Sequence, residues 1–204
     1  LIGLSPGGWA QGVGGRFPTA LPSNIGAARF ENELMAFLAR RGYASWAHDR
    51  EVRATGPFID GQSYGTHPAV RVYYSPAVWS WLRGGRKGAI PDGGTIIKEQ
   101  YAPPANRQPP HLIGYAVMVR DSQASWDGWY WSSGAGLGAP EAFPFNYPWA
   151  GFGQYCVNCH ASTDDKMSTF STLRNVLGDP MTYLTVIPSM RPKPPRDDVH
   201  ARLA

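Results

Sequence analysis

The chain has 204 residues, enough for one substantial domain with a buried apolar core or for one domain with extensions, so two independent domains are not required. Hydrophobic residues make up 43% and charged residues 17%, a globular composition, but 24 Gly and 19 Pro supply about a fifth of the chain and exclude long helices throughout. The balance of 19 basic against 15 acidic side chains gives +4, too small and too scattered an excess to argue for nucleic acid, and no apolar run approaches the ~20 residues that a membrane-spanning helix needs.

The sequence begins at Leu1, with neither Met nor a basic start followed by an apolar stretch. An export signal is therefore expected to have been removed or to lie outside it, with a water-soluble chain as the product. Residues 1 to 22 are rich in Gly and Pro, with Trp9 and Phe17 as the large anchors, and read as an irregular arm lying over something else. From Ser23 to about Gly42, Phe30, Leu34, Phe37 and Leu38 recur at helical spacing, with Ser23 or Asn24 available as cap and Gly42 as stop. This predicts an amphipathic helix that packs on the core.

After a polar connection, Ala69 to Tyr74 is β-rich in type and ends at Ser75-Pro76, a cap followed by a proline suited to a first helical turn. A short helix is predicted from Ala77 to Leu82, stopped by Gly84-Gly85, then a turn from Ile90 to Gly94 and a strand from Thr95 to Tyr101. Two more strands are predicted at Leu112 to Arg120 and Gly128 to Ser132, joined through the polar corner Asp121 to Asp127 and thus antiparallel. Residues 134 to 153 form a connection unusually rich in aromatics, expected to cover either a cofactor face or the ordinary core. The proline-rich stretch from Pro188 to Pro195 reads as a semi-rigid linker to some further segment.

The chain has two cysteines, three residues apart in Cys156-Val157-Asn158-Cys159-His160, which leaves a local chemical motif and no disulfide framework. Two cysteines at i and i+3 on a helical turn project to one side, so both sulfurs can reach the vinyl groups along one edge of a porphyrin. The following histidine is carried beneath the ring, where its imidazole can ligate iron; Cys-x-x-Cys-His therefore reads as the attachment of a single covalent haem c, with His160 as the iron ligand. A thioredoxin-like dithiol would lie early in a βαβ unit, whereas this pair follows several strands, and a structural zinc site would need two further nearby ligands.

These residues together resemble a known family. The strand with Arg71, the Ser75-Pro76 helix ending Trp81-Leu82, the step from Pro91-Asp92-Gly93 into Ile97-Lys98-Glu99, and the strand Met118 to Ser122 come first in that resemblance. With Asp127-Gly128-Trp129-Tyr130-Trp131 and Cys156 to His160, the chain from about residue 65 to about 178 looks like cytochrome P-460 and its relative cytochrome c′-beta. The resemblance implies an α+β fold, a mostly antiparallel sheet packed with helices. It gives an arm and helix over 1–55, a haem domain over 56–180 and a tail over 181–204.

It also implies a five-coordinate iron with an open position, in proteins that oxidise hydroxylamine or bind nitric oxide. A strand lysine bonded to the porphyrin edge in the enzymes matches Lys98. The residues leave two outcomes for Lys98, a buried amine that loses its proton and becomes nucleophilic, or a stem along the haem edge with the amine in water. Strand alternation puts Ile96, Lys98 and Gln100 on one face and Ile97, Glu99 and Tyr101 on the other, so Glu99 is expected to be structural or surface. Arg71 is the candidate distal or propionate-side cation. Its match to the family's arginine is offset by about a residue, and a one-residue slip reverses a strand face.

A sixth iron ligand could come from His67, His111, Met118 or Met167, and would favour electron transfer over substrate chemistry. The expected function is that of an exported mono-haem cytochrome, periplasmic or extracellular. It would pass electrons to a redox partner or oxidise a small nitrogen species such as hydroxylamine. The alternatives are a diatomic gas binder without turnover and a haem-bearing module of a larger chain, homo-oligomer or assembly.

Overall fold

The computed structural model describes residues 17–55, 58–59, 62–63, 67, 69–102, 110–133, 150–152, 156–161, 163 and 167–177. The expected arm before Phe17, most of the aromatic connection at 134–153 and the proline-rich tail lie outside the described residues. Its organising element is an antiparallel sheet. Strands β1 (Ala47–His48), β5 (Ala69–Tyr74), β6 (Thr95–Tyr101), β7 (Leu112–Arg120), β8 (Trp129–Ser133) and β9 (Ala150–Phe152) lie in that order, and β2 (Arg53–Ala54) pairs with β5 beside β1. A separate two-stranded piece joins β3 (Phe58–Ile59) to β4 (Gln62–Ser63). An α+β architecture results, as the resemblance implies.

Each face of the sheet buries its own apolar cluster, because successive strand residues point to opposite sides. On one face Tyr73, Ile97, Tyr115, Val117 and Tyr130 pack against helix α2 (Ala27–Ala39) through Phe30, Leu34, Phe37 and Leu38. Phe17 closes this side edge-on to Phe30 and Phe37, with ring centroids 6.2 and 5.2 Å away. On the other face Val70, Val72, Ile96, Met118, Trp129 and Trp131 pack against helix α3 (Pro76–Arg83) through Val78, Trp81 and Leu82, with Cys156 and Met167 at the margin.

The helix expected from Ser23 to Gly42 is divided. Gly26 adopts φ 84°, which an L side chain rarely tolerates, and separates a single turn, α1 (Pro22–Ile25), from α2. Ser23 is thereby not a cap; its backbone N–H and hydroxyl donate to the buried Asp121 carboxylate at 2.8 and 2.9 Å, tying the helix entry to the end of β7. Ser75 sits at the N-cap of α3 with Pro76 at the first helical position, but its Oγ accepts from Thr95 N–H at 2.9 Å instead of capping. That bond fixes where α3 meets β6. The pairing of β6 with β7 shifts register only between Gln100 and Tyr101, so Lys98 and Glu99 keep opposite faces.

Candidate haem site

Cys156 precedes the short helix α4 (Val157–His160), whose first turn closes through Cys159 N–H and His160 N–H, both donating to the Cys156 carbonyl at 3.3 and 3.1 Å. The turn brings both thiols to one side, neither in a disulfide and both partly exposed, while His160 is buried. The His160 ring is fixed from three directions. Trp131 meets it edge-on at 4.9 Å, Phe170 does so at 5.1 Å, and Nδ1 lies 2.6 Å from the Ser168 carbonyl. A carbonyl only accepts, so the neutral ring carries its proton on Nδ1 and keeps the Nε2 lone pair for a metal.

What stands before that lone pair is Lys98. Its Nζ lies 3.1 Å from His160 Nε2 and 3.5 Å from His67 Nε2, so strand β6 delivers an amine between residues 62 and 31 positions away in sequence. Burial pulls the Lys98 ammonium down to about 8, opposed in part by the negative charge of Cys156 and reinforced by Arg53, whose own charge Asp49 meets at 2.8 Å. Thioethers carry no charge, so the opposing contribution of Cys156 vanishes once its sulfur is alkylated. Burial and then the Lys98 charge hold His160 well below the usual imidazole range and His67 down to about 3, which keeps both rings neutral. Burial pushes the Cys156 thiol up, against the pull of Lys98.

The other anticipated residues separate. Arg71 faces Glu99 across β5 and β6, and its side chain bonds Tyr73 on the α2 face, whereas Val72 is the residue opposite Lys98. The register thus carries Arg71 away from Lys98 and His160. Glu99 is buried on that same α2 face, where its carboxylate accepts from Arg41 at 3.0 Å, Tyr43 at 2.6 Å and Tyr101. It is structural, as alternation predicts, and not a surface residue. His111 is exposed, Met118 is buried among the apolar residues beside Trp131, and Met167 Sδ accepts from Ile90 N–H at 3.4 Å. His67 is the one of these four whose ring reaches Lys98.

The sequence gives no sign of Ser168, whose contribution is a backbone carbonyl, or of Phe170. Residues 167–170 curl back over His160, with Ser168 at φ 53° and the Thr169 carbonyl accepting from Arg86 at 2.7 Å. Among the described residues no group of three or more His, Cys, Asp or Glu is placed to hold a metal ion by itself, and no helix is long and apolar enough to cross a membrane. A prosthetic group that brings its own equatorial donors fits this set: one buried imidazole whose Nε2 carries its lone pair, two adjacent thiols and an apolar wall.

Fold and site together fit a haem-carrying α+β protein built on an antiparallel sheet, the class of the cytochromes. Residues 41–171, well over half of the chain, match the family model described as Cytochrome P460, and the chain belongs to that family. The matched segment contains both Lys98 and the Cys156–His160 motif. No curated protein and no solved structure matches the chain.

Proposed function

We propose that this cytochrome carries one haem c through thioethers at Cys156 and Cys159, with His160 as iron ligand. It would act as an exported, periplasmic or extracellular oxidoreductase on a small nitrogen species such as hydroxylamine. The observation that supports the reading is the 3.1 Å approach of Lys98 Nζ to His160 Nε2, with the amine turned to the imidazole. When bound, the haem supplies the iron that takes up the small ligand and accepts its electrons for a redox partner.

The chain's own residues supply the rest. Ser168 holds the His160 proton on Nδ1, Trp131 and Phe170 fix the ring plane, and the apolar wall of Val72, Ile96 and Met118 excludes water from one side. Lys98, its ammonium weakened by burial, is the side chain suited to bond the porphyrin edge.

Intact mass of the purified protein tests attachment, and mass analysis after proteolysis tests whether the peptide containing Lys98 is joined to the haem. A ferrous Soret band displaced far to the red is expected, and Lys98→Ala should abolish the displacement. An unchanged spectrum in Lys98→Ala rejects the cross-link. High-spin bands without displacement, together with tight nitric oxide binding and no turnover, would make the protein a gas binder instead.

A further inference from the structure

We infer that Trp131 is a redox-active side chain that gives one electron to the haem when a peroxide is reduced there, with the Asp127 carboxylate holding the positive charge left on the indole. This rests on the attachment proposed above, with His160 as iron ligand. Trp131 meets the His160 ring edge-on, centroids 4.9 Å apart, so the indole is in direct contact with the imidazole. Its Nε1–H donates to Asp127 Oδ2 at 2.8 Å. One edge of the indole is thus against the iron ligand and its nitrogen is against an anion. An anion bonded to the indole nitrogen stabilises positive charge on that ring, the more so away from water, and Trp131 is 2% exposed.

The corner before β8 builds this pair. Asp127 Oδ1 accepts from the Ser125 hydroxyl, and from Trp129 N–H at 3.2 Å, which leaves Oδ2 for the indole four residues on. Alternation puts Trp129 on the same face, its ring centroid 6.4 Å from that of Trp131, but in the opposite electrostatic setting. The Arg120 guanidinium lies 5.5 Å over the Trp129 ring, and among the described residues Trp129 Nε1 has no hydrogen-bond partner. A cation opposes electron loss from Trp129, whereas an anion favours it at Trp131, so the oxidised ring stays beside His160. Tyr43 and Tyr101, which bond Glu99, lie with it on the α2 face. In the reaction hydrogen peroxide takes up two electrons and two protons and leaves as two waters. One electron comes from the haem and one from Trp131, and the protons come from solvent. The indole keeps its Nε1 proton, and an external one-electron donor later returns both electrons in turn. Without Trp131 the second oxidising equivalent would fall on the haem or on other side chains.

The experiment mixes the ferric holoprotein, first shown by intact mass to carry haem, with hydrogen peroxide, freezes it within milliseconds and records electron paramagnetic resonance. An organic-radical signal is expected whose hyperfine structure narrows when the protein is grown with ring-deuterated tryptophan and not with ring-deuterated tyrosine. Trp131→Phe should remove the signal, and Trp129→Phe should keep it. Asp127→Asn leaves an acceptor for the indole without the charge, and should lower the radical yield at least about tenfold. Labelling of the parent requires no substitution, so a poorly folding Trp131→Phe does not leave the matter open. A haem-loaded parent without a radical, a tyrosine radical, a tryptophan radical that survives in Trp131→Phe, or an unchanged yield in Asp127→Asn overturns the inference while leaving haem attachment intact. Absence of the haem mass removes the attachment itself, and the inference with it.

Discussion

Replacing Glu99 with alanine should destabilise the protein strongly and leave its haem spectrum alone. The carboxylate is 0% exposed and accepts from Arg41, Tyr43 and Tyr101, while the Arg41 side chain is 55% exposed. Breaking a buried ion pair by removing one partner costs about 3–5 kcal/mol when the survivor stays buried and uncompensated. Here Arg41 can return to water, and Tyr43 keeps a 3.3 Å contact with Tyr115, so the loss belongs near the lower end, about 3 kcal/mol. At roughly 2–4 °C per kcal/mol for a chain of this size, Tm should fall by about 6–12 °C. Thermal unfolding of the holoprotein followed by far-ultraviolet circular dichroism measures the first quantity, and the ferric and ferrous Soret positions measure the second. A loss below about 1 kcal/mol would refute the assignment of Glu99 as a buried structural charge. A shifted Soret band would refute its separation from the haem face.

Two other perturbations follow from packing and burial. Gly94→Ala would set a Cβ 2.4 Å from Ile90 Cγ2 and 2.8 Å from the Pro91 carbonyl, an overpacking expected to cost about 1–3 kcal/mol in urea unfolding. Burial raises the Glu31 carboxyl above its ordinary 4.5, against the hydrogen bonds from Ser132 and Tyr130. The folded state therefore holds that proton more tightly than the unfolded chain. Glu31's contribution is present below about 4.5 and is lost as pH rises through the higher folded value. Glu31→Gln should remove that slope, read as the difference in urea midpoint between the two proteins across the acid range; an unchanged slope would count against it.

The four long strands and α3 were legible because period-two alternation and the Ser75-Pro76 start are local signals, and the observed α3 and β8 differ from expectation by one residue at each end. The division of the first helix was not legible: Gly26 inside an apolar repeat reads as tolerable until its φ of 84° is known. Glu99 illustrates a second limit. A charged strand residue suggests surface by composition, and only the approach of Arg41 and Tyr43, 58 and 56 residues earlier, makes its burial affordable. The motif Cys156 to His160 declares itself by spacing alone. The nearness of His67 to Lys98 depends on how β5 and β6 pair, and the hold of Ser168 on His160 uses an atom that every residue possesses.

The same pairing explains why two charged residues stand side by side at 98 and 99. A strand that slips by one position exchanges its faces. In β6 that slip would drive the Glu99 carboxylate toward the two imidazoles and put the Lys98 amine beside Arg41, where a second cation meets no counter-charge. Each buried charge thus penalises the register that would suit the other, whereas the aliphatic neighbours Ile96 and Ile97 are nearly interchangeable between the two apolar clusters. The Glu99 network on the α2 face thereby positions Lys98 on the haem face without touching it. Ordinary hydrophobic burial holds the sheet together; it is the alternation of opposite charges that selects which side chain meets His160.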